Sequence, residues 1–361
     1  MNIIYGICSW GLGHATRSLP LIRRLIDEDN SITIVSYGRS LELLKKELNG
    51  NAEYVEIIDY PILLSENTRQ FLAKSLIHWP LFIKRIESGL IQLTKILKKK
   101  KYNLLISDGR YDIYSKKIRS FFISHQIRIM NPLRIKMLES GSELFNLFFF
   151  RRFCGIIVPD YIEDNLSGEL SHNLKRIDEE KLHYVGALSD FKKKTTKRDI
   201  DCLISLSGPE PQRSILEQKL LSQINDTDSK IIITLGKTEQ TSLIKNNNVT
   251  IYSFLTKEKR EEFLNRAKMI ISRSGYSTIM DIAVIGLKAL MIPTPGQIEQ
   301  EYLAKYHSKK GTFFSVKQEN INFEMDCKYA KKKSGIRRLC NVDKTVENIM
   351  DVLSNVQKSP F

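Results

Sequence analysis

The chain lacks several features that mark familiar classes of protein. No apolar run reaches the ~18–20 residues of a membrane-spanning helix. The five cysteines contain no Cys-x-x-Cys pair, and the six histidines show no metal-ligand spacing. We therefore expect no transmembrane helix, no disulfide framework and no metal site. A strand-like apolar run opens the chain without a basic region before it, so we expect no secretory signal and a reducing, cytoplasmic location.

Positive charge is in excess, with 56 Lys and Arg against 41 Asp and Glu and a formal net charge of +15. It clusters at 98–101, 192–198 and 331–338. No aromatic-interleaved basic motif accompanies it, so we expect no nucleic-acid partner. Solvated helix ends and an anionic membrane surface both remain open as explanations. The apolar stretch 144–152 ends in two arginines, which is typical of an interfacial helix, although a buried helix before the strand at 154–158 explains it equally well.

Patterns typical of strands and helices alternate along the chain, which predicts parallel sheets with helices on both faces. The first half has strand candidates at 3–8, 32–36, 54–58, 103–107, 120–124, 154–158 and 182–185, and helical patterns at 17–27, 41–48 and around 70–98. The second half has strand candidates at 202–205, 230–234, 249–252, 268–272 and 289–292, and helical patterns at 212–221, 256–266, 276–285, 299–308 and 344–353.

A polar and basic stretch without periodicity, 188–199, separates the two series and is predicted to be an interdomain linker. The first domain is then 1–187 and the second 200–340, with the last helical pattern in a terminal segment, 341–361. Ligands of open α/β sheets bind at the carboxyl ends of the strands. The residues that follow each strand are therefore the candidates for a functional site.

A glycine-containing turn, Ser9-Trp-Gly-Leu-Gly-His-Ala-Thr-Arg17, follows the first strand. Gly11 and Gly13 allow a tight turn and a close approach of a ligand to the backbone. A dinucleotide-binding fingerprint requires a third glycine where Thr16 stands, and an acid at the end of the second strand, which the sequence does not have. We therefore expect neither a nicotinamide cofactor nor a Walker-type phosphate loop.

Two candidate bases follow strands of the first half. His14 stands where the turn meets a helix, and an unperturbed imidazole, with a pKa of about 6.5, can take a proton from a hydroxyl near neutral pH. The alternative is a histidine that only stabilises the turn by hydrogen bonding. Asp108 is the second candidate, and it requires desolvation because an unperturbed aspartate has a pKa of about 3.9.

The stretch 270–281 carries the main signal of the second half. An apolar strand ends in Ser272-Arg-Ser-Gly275 and delivers it to a helix, and a helix N-terminus after such a turn attracts anions. Asp281, about two turns into the helix, can bind a pair of vicinal hydroxyls. After the next strand, 296–301 offers further polar groups. Phosphate, diol and polyhydroxyl partners in one crevice predict a nucleotide-sugar.

The turn Leu206-Ser-Gly-Pro-Glu-Pro-Gln-Arg213 follows the first strand of the second half. Ser207 and Glu210 have the spacing of a capping box, and the prolines suit a first helical turn. The same turn can present N–H groups to a diphosphate, with Arg213 nearby. Arg273 matches phosphate oxygens through its planar guanidinium, although a structural pair with a carboxylate is the alternative.

On these motifs the chain resembles glycosyltransferases of the GT-B fold. The most similar branch is family 28, which contains the peptidoglycan GlcNAc transferase and monogalactosyldiacylglycerol synthase, and within it archaeal relatives of undetermined acceptor. The resemblance covers most of the chain, with Arg273–Glu301 as its specific block and Gly11–His14 as its weaker one. It implies an α/β protein with two doubly wound Rossmann-like domains facing a cleft, and a final helix that crosses back to the first domain.

The resemblance also implies roles for single residues. His14 is the base or an acceptor contact, and Arg273 balances the charge of the leaving diphosphate in place of a metal. The implied acceptor-side residues are Gly11, Gly13, His125 and Gln126. The implied nucleotide-sugar residues are Ser207, Gly208, Arg213, Ser274, Gly275, Tyr276, Ser277, Asp281, Gln297, Gln300 and Glu301. The chain departs from the family where Pro209 removes an N–H, where Asp281 replaces a glutamate, and where Glu301 replaces an amide.

We therefore expect an inverting, metal-independent transferase that moves a hexose or N-acetylhexosamine from a UDP-sugar, with UDP-GlcNAc favoured. The acceptor is a hydroxyl of a glycan, a lipid-linked molecule or another compound. The UDP-sugar is a substrate, so no cofactor is expected. A UDP-sugar 2-epimerase of the same fold is an alternative, and it requires additional acid and base carboxylates. A non-catalytic sugar-nucleotide-binding subunit is another, against which the joint presence of His14, Arg273 and Asp281 argues.

Overall fold

A computed structural model describes residues 1–61, 68–131, 133–224, 228–237, 242–337 and 340–356, with the side chains of 68–77 and 180 outside the description. The chain divides into two compact units, Met1–Asp190 with Asn341–Phe361, and Phe191–Cys340. Residues 191–199, at the start of the second unit, contain neither helix nor strand. Within the described ranges, no helix combines the length and the apolar character needed to cross a bilayer.

The described residues of the first unit form a seven-stranded parallel sheet. Its strands are β1 (Asn2–Ile7), β2 (Ser31–Ser36), β3 (Glu53–Glu56), β4 (Leu104–Asp108), β5 (Arg119–Ile123), β6 (Gly155–Val158) and β7 (Leu182–Tyr184). Their order is β3-β2-β1-β4-β5-β6-β7. The connecting helices are α1 (Gly13–Asp27), α2 (Gly38–Leu48), α3 (Thr68–Lys99) and α4 (Lys136–Phe150). The central strands are continuous apolar runs because helices cover both faces of a parallel sheet.

The second unit repeats this plan. Its strands are β8 (Cys202–Ser205), β9 (Ile231–Thr234), β10 (Leu243–Asn246), β11 (Val249–Tyr252), β12 (Met269–Ser272), β13 (Lys288–Met291) and β14 (Phe314–Ser315). Their order is β10-β11-β9-β8-β12-β13-β14, parallel except for the β10–β11 hairpin. The helices are α5 (Gln212–Leu221), α6 (Lys257–Arg266), α7 (Tyr276–Ile285), α8 (Ile298–Lys309) and α9 (Phe323–Lys331).

The last helix, α10 (Val342–Asn355), belongs to the first unit. Asn348 Nδ2 donates to the carbonyl oxygen of Val185 at 3.0 Å, and Arg119 Nη2 donates to that of Val356 at 2.9 Å. A guanidinium at the carboxyl end of a helix satisfies carbonyl groups that have no partner in the helix itself. The C-terminal segment is thereby fixed to the sheet of the first unit.

The predicted α/β class with two doubly wound sheets is confirmed, and the strand predictions differ by at most two residues at their ends. Helix α1 begins at Gly13, four residues before the predicted start, because the glycine turn itself enters the helix. The sequence prediction missed β10, whose four residues are all exposed and carry no burial pattern. It also missed the two-residue β14 and the helix α9.

Candidate active site

The glycine turn between β1 and α1 is held by hydrogen bonds to the segment that follows β3. The backbone N–H of Ser9 donates to Asp59 Oδ2 at 2.5 Å, and the indole N–H of Trp10 donates to the carbonyl oxygen of Tyr60 at 2.9 Å. Gly11 has a φ of +78°, in the left-handed region that favours glycine. The turn therefore has a fixed conformation where it delivers the chain to α1.

His14, in the first turn of α1, contacts the carboxylate at the end of β4. Its Nδ1 lies 2.7 Å from Asp108 Oδ1. Arg17 donates through Nε to Asp108 Oδ2 at 2.8 Å and through Nη2 to Oδ1, and Ser18 Oγ donates to Oδ2 at 2.9 Å. Arg17 Nη1 also lies 3.0 Å from His125 Nδ1. Arg17, Asp108 and His125 are buried, whereas the His14 side chain is 21% exposed.

The charge of Asp108 determines which nitrogen of His14 carries the proton. Burial raises the pKa of this carboxyl, but the positive charge and hydrogen bonds of Arg17 and His14 outweigh burial and hold the pKa well below its usual range. An ionised carboxylate only accepts hydrogen bonds, so the 2.7 Å contact requires a proton on His14 Nδ1. Arg17 Nη2 also lies 3.0 Å from His14 Nδ1. This contact is not a hydrogen bond when Nδ1 carries a proton, because both nitrogens then donate to the Asp108 carboxylate.

The proton on Nδ1 leaves Nε2 of neutral His14 with a lone pair. Among the described residues, none makes a hydrogen bond to this nitrogen. A histidine whose second nitrogen is held by a carboxylate has the arrangement of an oriented general base. Gly109 is close beneath the ring, since a Cβ at this position would lie 3.1 Å from His14 Cε1. The backbone after β4 therefore also limits where the imidazole can lie.

The prediction of Asp108 as an alternative base does not fit this geometry. Asp108 is fully buried and already accepts from three side chains, so a substrate hydroxyl has no access to it. Its net pKa shift is downward, against the upward shift that the prediction required. Of the predicted acceptor-side residues, His125 is buried against Arg17 and Gln126 is half-buried after β5. The sequence prediction missed Arg17, although its i, i+3 spacing from His14 on a helix was a usable signal.

In the second unit, the turn between β12 and α7 leads into a helix without a side-chain cap. Gly275 is the N-cap residue, no side chain caps α7, and no acidic residue stands in its first turn. Ser274 Oγ donates to the carbonyl oxygen of Gln300 at 2.7 Å. Tyr276 is buried, whereas Ser277 and Asp281 are half-buried. The backbone N–H groups at this end of α7 and its dipole can thus receive an anion.

Arg273 is buried and donates to five oxygen atoms, none of them from a carboxylate. They are the carbonyl oxygens of Ser207 (3.3 Å), Ile292 (3.2 Å), Pro293 (3.3 Å) and Gln212 (2.9 Å), and Gln318 Oε1 (2.7 Å). Burial lowers the pKa of Arg273 to about 10, so the guanidinium stays charged at neutral pH. Because a guanidinium has five N–H bonds, none is left for the predicted bidentate phosphate contact in this conformation. The predicted alternative, a pair with a carboxylate, is not formed with any residue that the structure describes.

Gly208 lies over this buried charge. Ser207 and Gly208 are exposed, and a Cβ on Gly208 would lie 3.7 Å from Arg273 Nε and 3.4 Å from Thr294 Oγ1. The φ of Gly208 is +113°, which also favours glycine. Thr294 Oγ1 is buried and makes no hydrogen bond to any described residue. The turn after β8 therefore covers a positive charge that has no anionic partner among the described residues.

Arg213, a predicted nucleotide contact, is bound to two carboxylates in this structure, and its contact with a nucleotide stays a prediction. Its Nη1 donates to Glu217 Oε2 at 2.6 Å and its Nη2 to Glu210. Burial lowers the pKa of Arg213, but these two carboxylates outweigh it and raise the pKa overall. The predicted capping box is also absent, because α5 begins at Gln212 and Pro211 is its N-cap residue.

The side chains at the start of α8 that were predicted to face the donor sugar form hydrogen bonds with the loop before this helix. Gln300 Oε1 accepts from the backbone N–H of Thr294 at 2.9 Å, and Gln300 Nε2 donates to Gln297 Oε1. Glu301 Oε1 accepts from the backbone N–H of Gly296 at 3.0 Å. These side chains hold the loop in place, and only Glu301 is exposed. Among the side chains that the structure describes, no group of three or more His, Cys, Asp or Glu is arranged to bind a metal ion.

Comparison with known proteins places both halves of the chain among sugar transferases. Residues 212–328 match the glycosyltransferase family 28 C-terminal domain, and residues 1–119 match the family model described as glycosyl transferase family 1. An uncharacterized glycosyltransferase of Methanosarcina mazei is 26% identical over 86% of this chain and 84% of its own length. A UDP-N-acetylglucosamine–N-acetylmuramyl-(pentapeptide) pyrophosphoryl-undecaprenol N-acetylglucosamine transferase of Trichormus variabilis is 39% identical, but over 17% of this chain and 18% of its own length.

Solved structures share the fold at low sequence identity. The calicheamicin glycosyltransferase CalG4 has a TM-score of 0.63 at 14% identity, over 99% of this chain and 95% of its own. The UDP-GlcNAc 2-epimerase of Methanocaldococcus jannaschii has a TM-score of 0.57 at 15% identity, over 98% and 99%. Together with the two family models, the two doubly wound units define a glycosyltransferase of the GT-B fold. More particularly, its second unit is similar to the C-terminal domain of family 28, and archaeal glycosyltransferases are similar to the chain along most of its length.

Proposed function

We propose that the protein is an inverting glycosyltransferase that transfers a hexose or N-acetylhexosamine from a UDP-sugar to a hydroxyl acceptor without a metal ion. The observation that carries the proposal is the His14–Asp108 pair, which orients a neutral imidazole and leaves its Nε2 unengaged. UDP-GlcNAc is the favoured donor because a short segment of the chain is similar to a transferase named for that sugar. The acceptor is a glycan, a lipid-linked molecule or another hydroxyl compound.

In the proposed reaction, His14 Nε2 takes the proton of the acceptor hydroxyl as its oxygen attacks the anomeric carbon. The bond between that carbon and the β-phosphate oxygen breaks on the opposite face, and UDP leaves with the bonding electrons. The configuration of the anomeric carbon is thereby inverted. The helix dipole of α7 and the charge of Arg273, which has no anionic partner among the described residues, favour the negative charge that develops on UDP. Arg273 acts here through its charge and through the turn it holds.

The experiment is a UDP-release assay with a panel of UDP-sugars, with membrane lipid extract and soluble glycosides as acceptors, in EDTA. We expect UDP release that depends on the acceptor, persists in EDTA and is fastest with UDP-GlcNAc. The anomeric configuration of the product, determined by NMR, should be opposite to that of the donor. Conversion of UDP-GlcNAc to its C2 epimer without acceptor would instead identify an epimerase. Loss of turnover in EDTA with recovery in Mg²⁺ or Mn²⁺ would contradict metal independence.

Asp281 is proposed to hold the ribose hydroxyls of UDP from α7. We expect Asp281→Ala to weaken UDP binding roughly 10- to 150-fold, because a hydrogen bond to a charged group contributes ~1.5–3 kcal/mol. Isothermal titration calorimetry with UDP measures the change. Glu324→Ala, which removes an exposed acid from α9 of the same unit, is the matched control and should bind UDP as the unmodified protein does. Unchanged affinity in a folded Asp281→Ala variant would rule out this role.

Helix α4 is proposed to contact an anionic membrane surface at the inner face of the cell membrane. Its polar residues Glu139, Glu143 and Asn146 are buried, whereas four large apolar side chains face solvent. These are Met137 (79% exposed), Leu138 (43%), Leu144 (50%) and Phe148 (59%). Lys136 and Arg151 are exposed around them, and Arg134 is also exposed but is paired with Glu139 and Glu169. An apolar surface bordered by cations is the composition that binds an anionic interface.

We expect the triple variant Met137→Ser, Leu144→Ser, Phe148→Ser to lose about tenfold or more in affinity for anionic vesicles, because three large side chains no longer leave water. Cosedimentation with vesicles containing phosphatidylglycerol measures this. Ile244→Ser is the matched control, since Ile244 is 57% exposed on β10 of the second unit. Binding of the triple variant equal to that of the control would contradict a membrane role for α4.

A further inference from the structure

Arg17 is a buried cation at the centre of the His14 site. Its side chain is 2% exposed, and its Nε and Nη2 both donate to the carboxylate of Asp108. Its Nη1 lies 3.0 Å from Nδ1 of the buried His125. A guanidinium only donates hydrogen bonds, so this imidazole nitrogen accepts one and carries no proton. His125 is therefore neutral, and it adds a third contact that fixes the guanidinium.

The carboxylate of Asp108, taken alone, works against a base. An opposite charge within ~4–6 Å moves a pKa by roughly one to three pH units in favour of the charged form. Asp108 is fully buried and lies 2.7 Å from His14 Nδ1, so little water screens the carboxylate from the imidazole. An imidazolium has no lone pair with which to accept a proton. A histidine–aspartate pair without a further charge would thus favour the form of His14 that cannot act as a base.

Arg17 supplies the compensating charge. Its two donors engage both oxygens of the Asp108 carboxylate, and its Nη2 lies 3.0 Å from His14 Nδ1. The guanidinium therefore cancels the charge of the carboxylate and also repels a positive charge on the imidazole directly. Asp108 keeps its hydrogen bond to His14, which still fixes the tautomer. The orienting effect of the carboxylate is thus kept, while its stabilisation of the imidazolium is offset.

The other ionisable groups around the turn leave this balance intact. Tyr5 in β1 and Cys8 just after it are buried, and burial raises the pKa of the Tyr5 hydroxyl and of the Cys8 thiol, so both stay neutral near neutral pH. Asp59, which follows β3, lies 3.8 Å from Arg110, and Arg110 is also paired with Asp112. The charges that act directly on the imidazole are therefore those of the carboxylate and guanidinium in contact with it.

We propose that Arg17 is a positioning residue that keeps His14 neutral and able to accept a proton, by cancelling the charge of Asp108 while leaving the His14–Asp108 hydrogen bond in place. His125 supports this role by holding the third nitrogen of the guanidinium. The inference about the protonation of His14 stands on this geometry. Only its consequence for kcat rests on the proposed function, in which His14 is the base.

The test follows the protonation of His14 directly by NMR. The chain has six histidines, so a carbon-13 label at histidine Cε1 gives few signals, and His14→Ala assigns the signal of interest. Arg17→Gln keeps a hydrogen-bond donor for the carboxylate and removes the charge, so the titration midpoint of His14 should rise by about 1–3 pH units. Arg17→Lys, which keeps the charge, should restore most of the difference. An unchanged or lower midpoint in folded Arg17→Gln would overturn the proposal.

Arg24→Gln is the matched control. Arg24 is an exposed arginine of the same helix, paired with Glu28, so the same change of charge there should leave the midpoint of His14 in place. An equal rise in both variants would reflect net charge alone and would overturn the proposal.

A second pair of variants covers the case in which Arg17→Gln does not fold. Asp108→Asn and the double variant Arg17→Gln/Asp108→Asn differ only in the charge of residue 17, and the double variant leaves no unpaired charge in the buried pair. The midpoint of His14 should be higher in the double variant than in Asp108→Asn. Equal midpoints would show that Arg17 does not act on His14 through its charge.

Kinetics connect the titration to the proposed reaction. In Arg17→Gln the acidic fall of kcat should move to higher pH by as much as the NMR midpoint does, and kcat should largely recover above the new midpoint. A loss of kcat by the same factor at every pH, with the midpoint unmoved, would mean that Arg17 only holds the fold. A raised midpoint without a shift in the kcat profile would support the role of Arg17 and contradict that of His14 as the base.

Discussion

His14→Ala is expected to lower kcat about 10²–10⁴-fold, the range that a positioned general base contributes. The structure supports this size of effect because the imidazole is oriented by Asp108 and its position is limited by Gly109. UDP affinity should stay nearly unchanged, since the proposed UDP contacts belong to the second unit. Steady-state kinetics of UDP release, with calorimetry for UDP, measure the two quantities separately.

Two further variants show whether His14 is the base or only stabilises the turn. Asn49→Ala, after α2, changes a polar residue of the same unit far along the chain from the turn, and we expect normal kcat from it. If His14→Ala keeps most of its kcat while Asp108→Asn abolishes turnover, His14 only stabilises the turn and Asp108 is the base after all.

Asp108→Asn is expected to lose about 10²-fold or more in kcat, nearly as much as His14→Ala. The amide can donate to His14 Nδ1, which would move the imidazole proton to Nε2 and remove the lone pair. The variant should also be less stable by roughly 3–5 kcal/mol, because the buried guanidinium of Arg17 loses its counter-charge. Kinetics together with urea unfolding measure both effects.

Ser18→Ala is the control for Asp108→Asn. It removes one hydrogen bond to the same carboxylate without changing the charge of Asp108. We expect a loss of ~1 kcal/mol in stability and little change in kcat. Equal loss of kcat in both variants would mean that the whole cluster is structural, and full activity of Asp108→Asn would show that His14 needs no orienting carboxylate.

The position of His14 was predictable, whereas its partners were not. A glycine turn after a strand places its histidine at the carboxyl edge of a sheet whatever the order of the strands. The contact with Asp108 depends on β1 and β4 being neighbours, with Ile7 in register with Asp108. A single sequence does not give this strand order. The roles of Asp108 and Arg17 followed only once the order was known.

Arg273 shows the same limit in the second unit. From the sequence, a phosphate and a carboxylate were the two alternative partners of Arg273. In the structure, its partners are mainly backbone carbonyl groups. The reason is the strand order β8-β12-β13, in which the residue after β12 lies between the turns after β8 and β13. Those turns supply the carbonyl oxygens of Ser207 and Ile292. The helix start that was predicted to attract an anion needed only local sequence, and α7 has Gly275 as its N-cap residue.

The most direct test of the account is the dependence of kcat on pH, measured for the unmodified protein and for His14→Ala with saturating donor and acceptor. Neutral His14 is the proposed base, and a proton on its Nε2 would remove the lone pair that the reaction needs. The kcat of the unmodified protein should therefore fall as the pH is lowered. Asp108 stays ionised over the pH range in which kcat falls, because its pKa is held below the usual range of a carboxyl. The stability that the ionised carboxylate contributes is lost only when the pH falls further, through this lowered pKa. The account predicts that this acidic fall disappears in His14→Ala. The same fall in both proteins would contradict it.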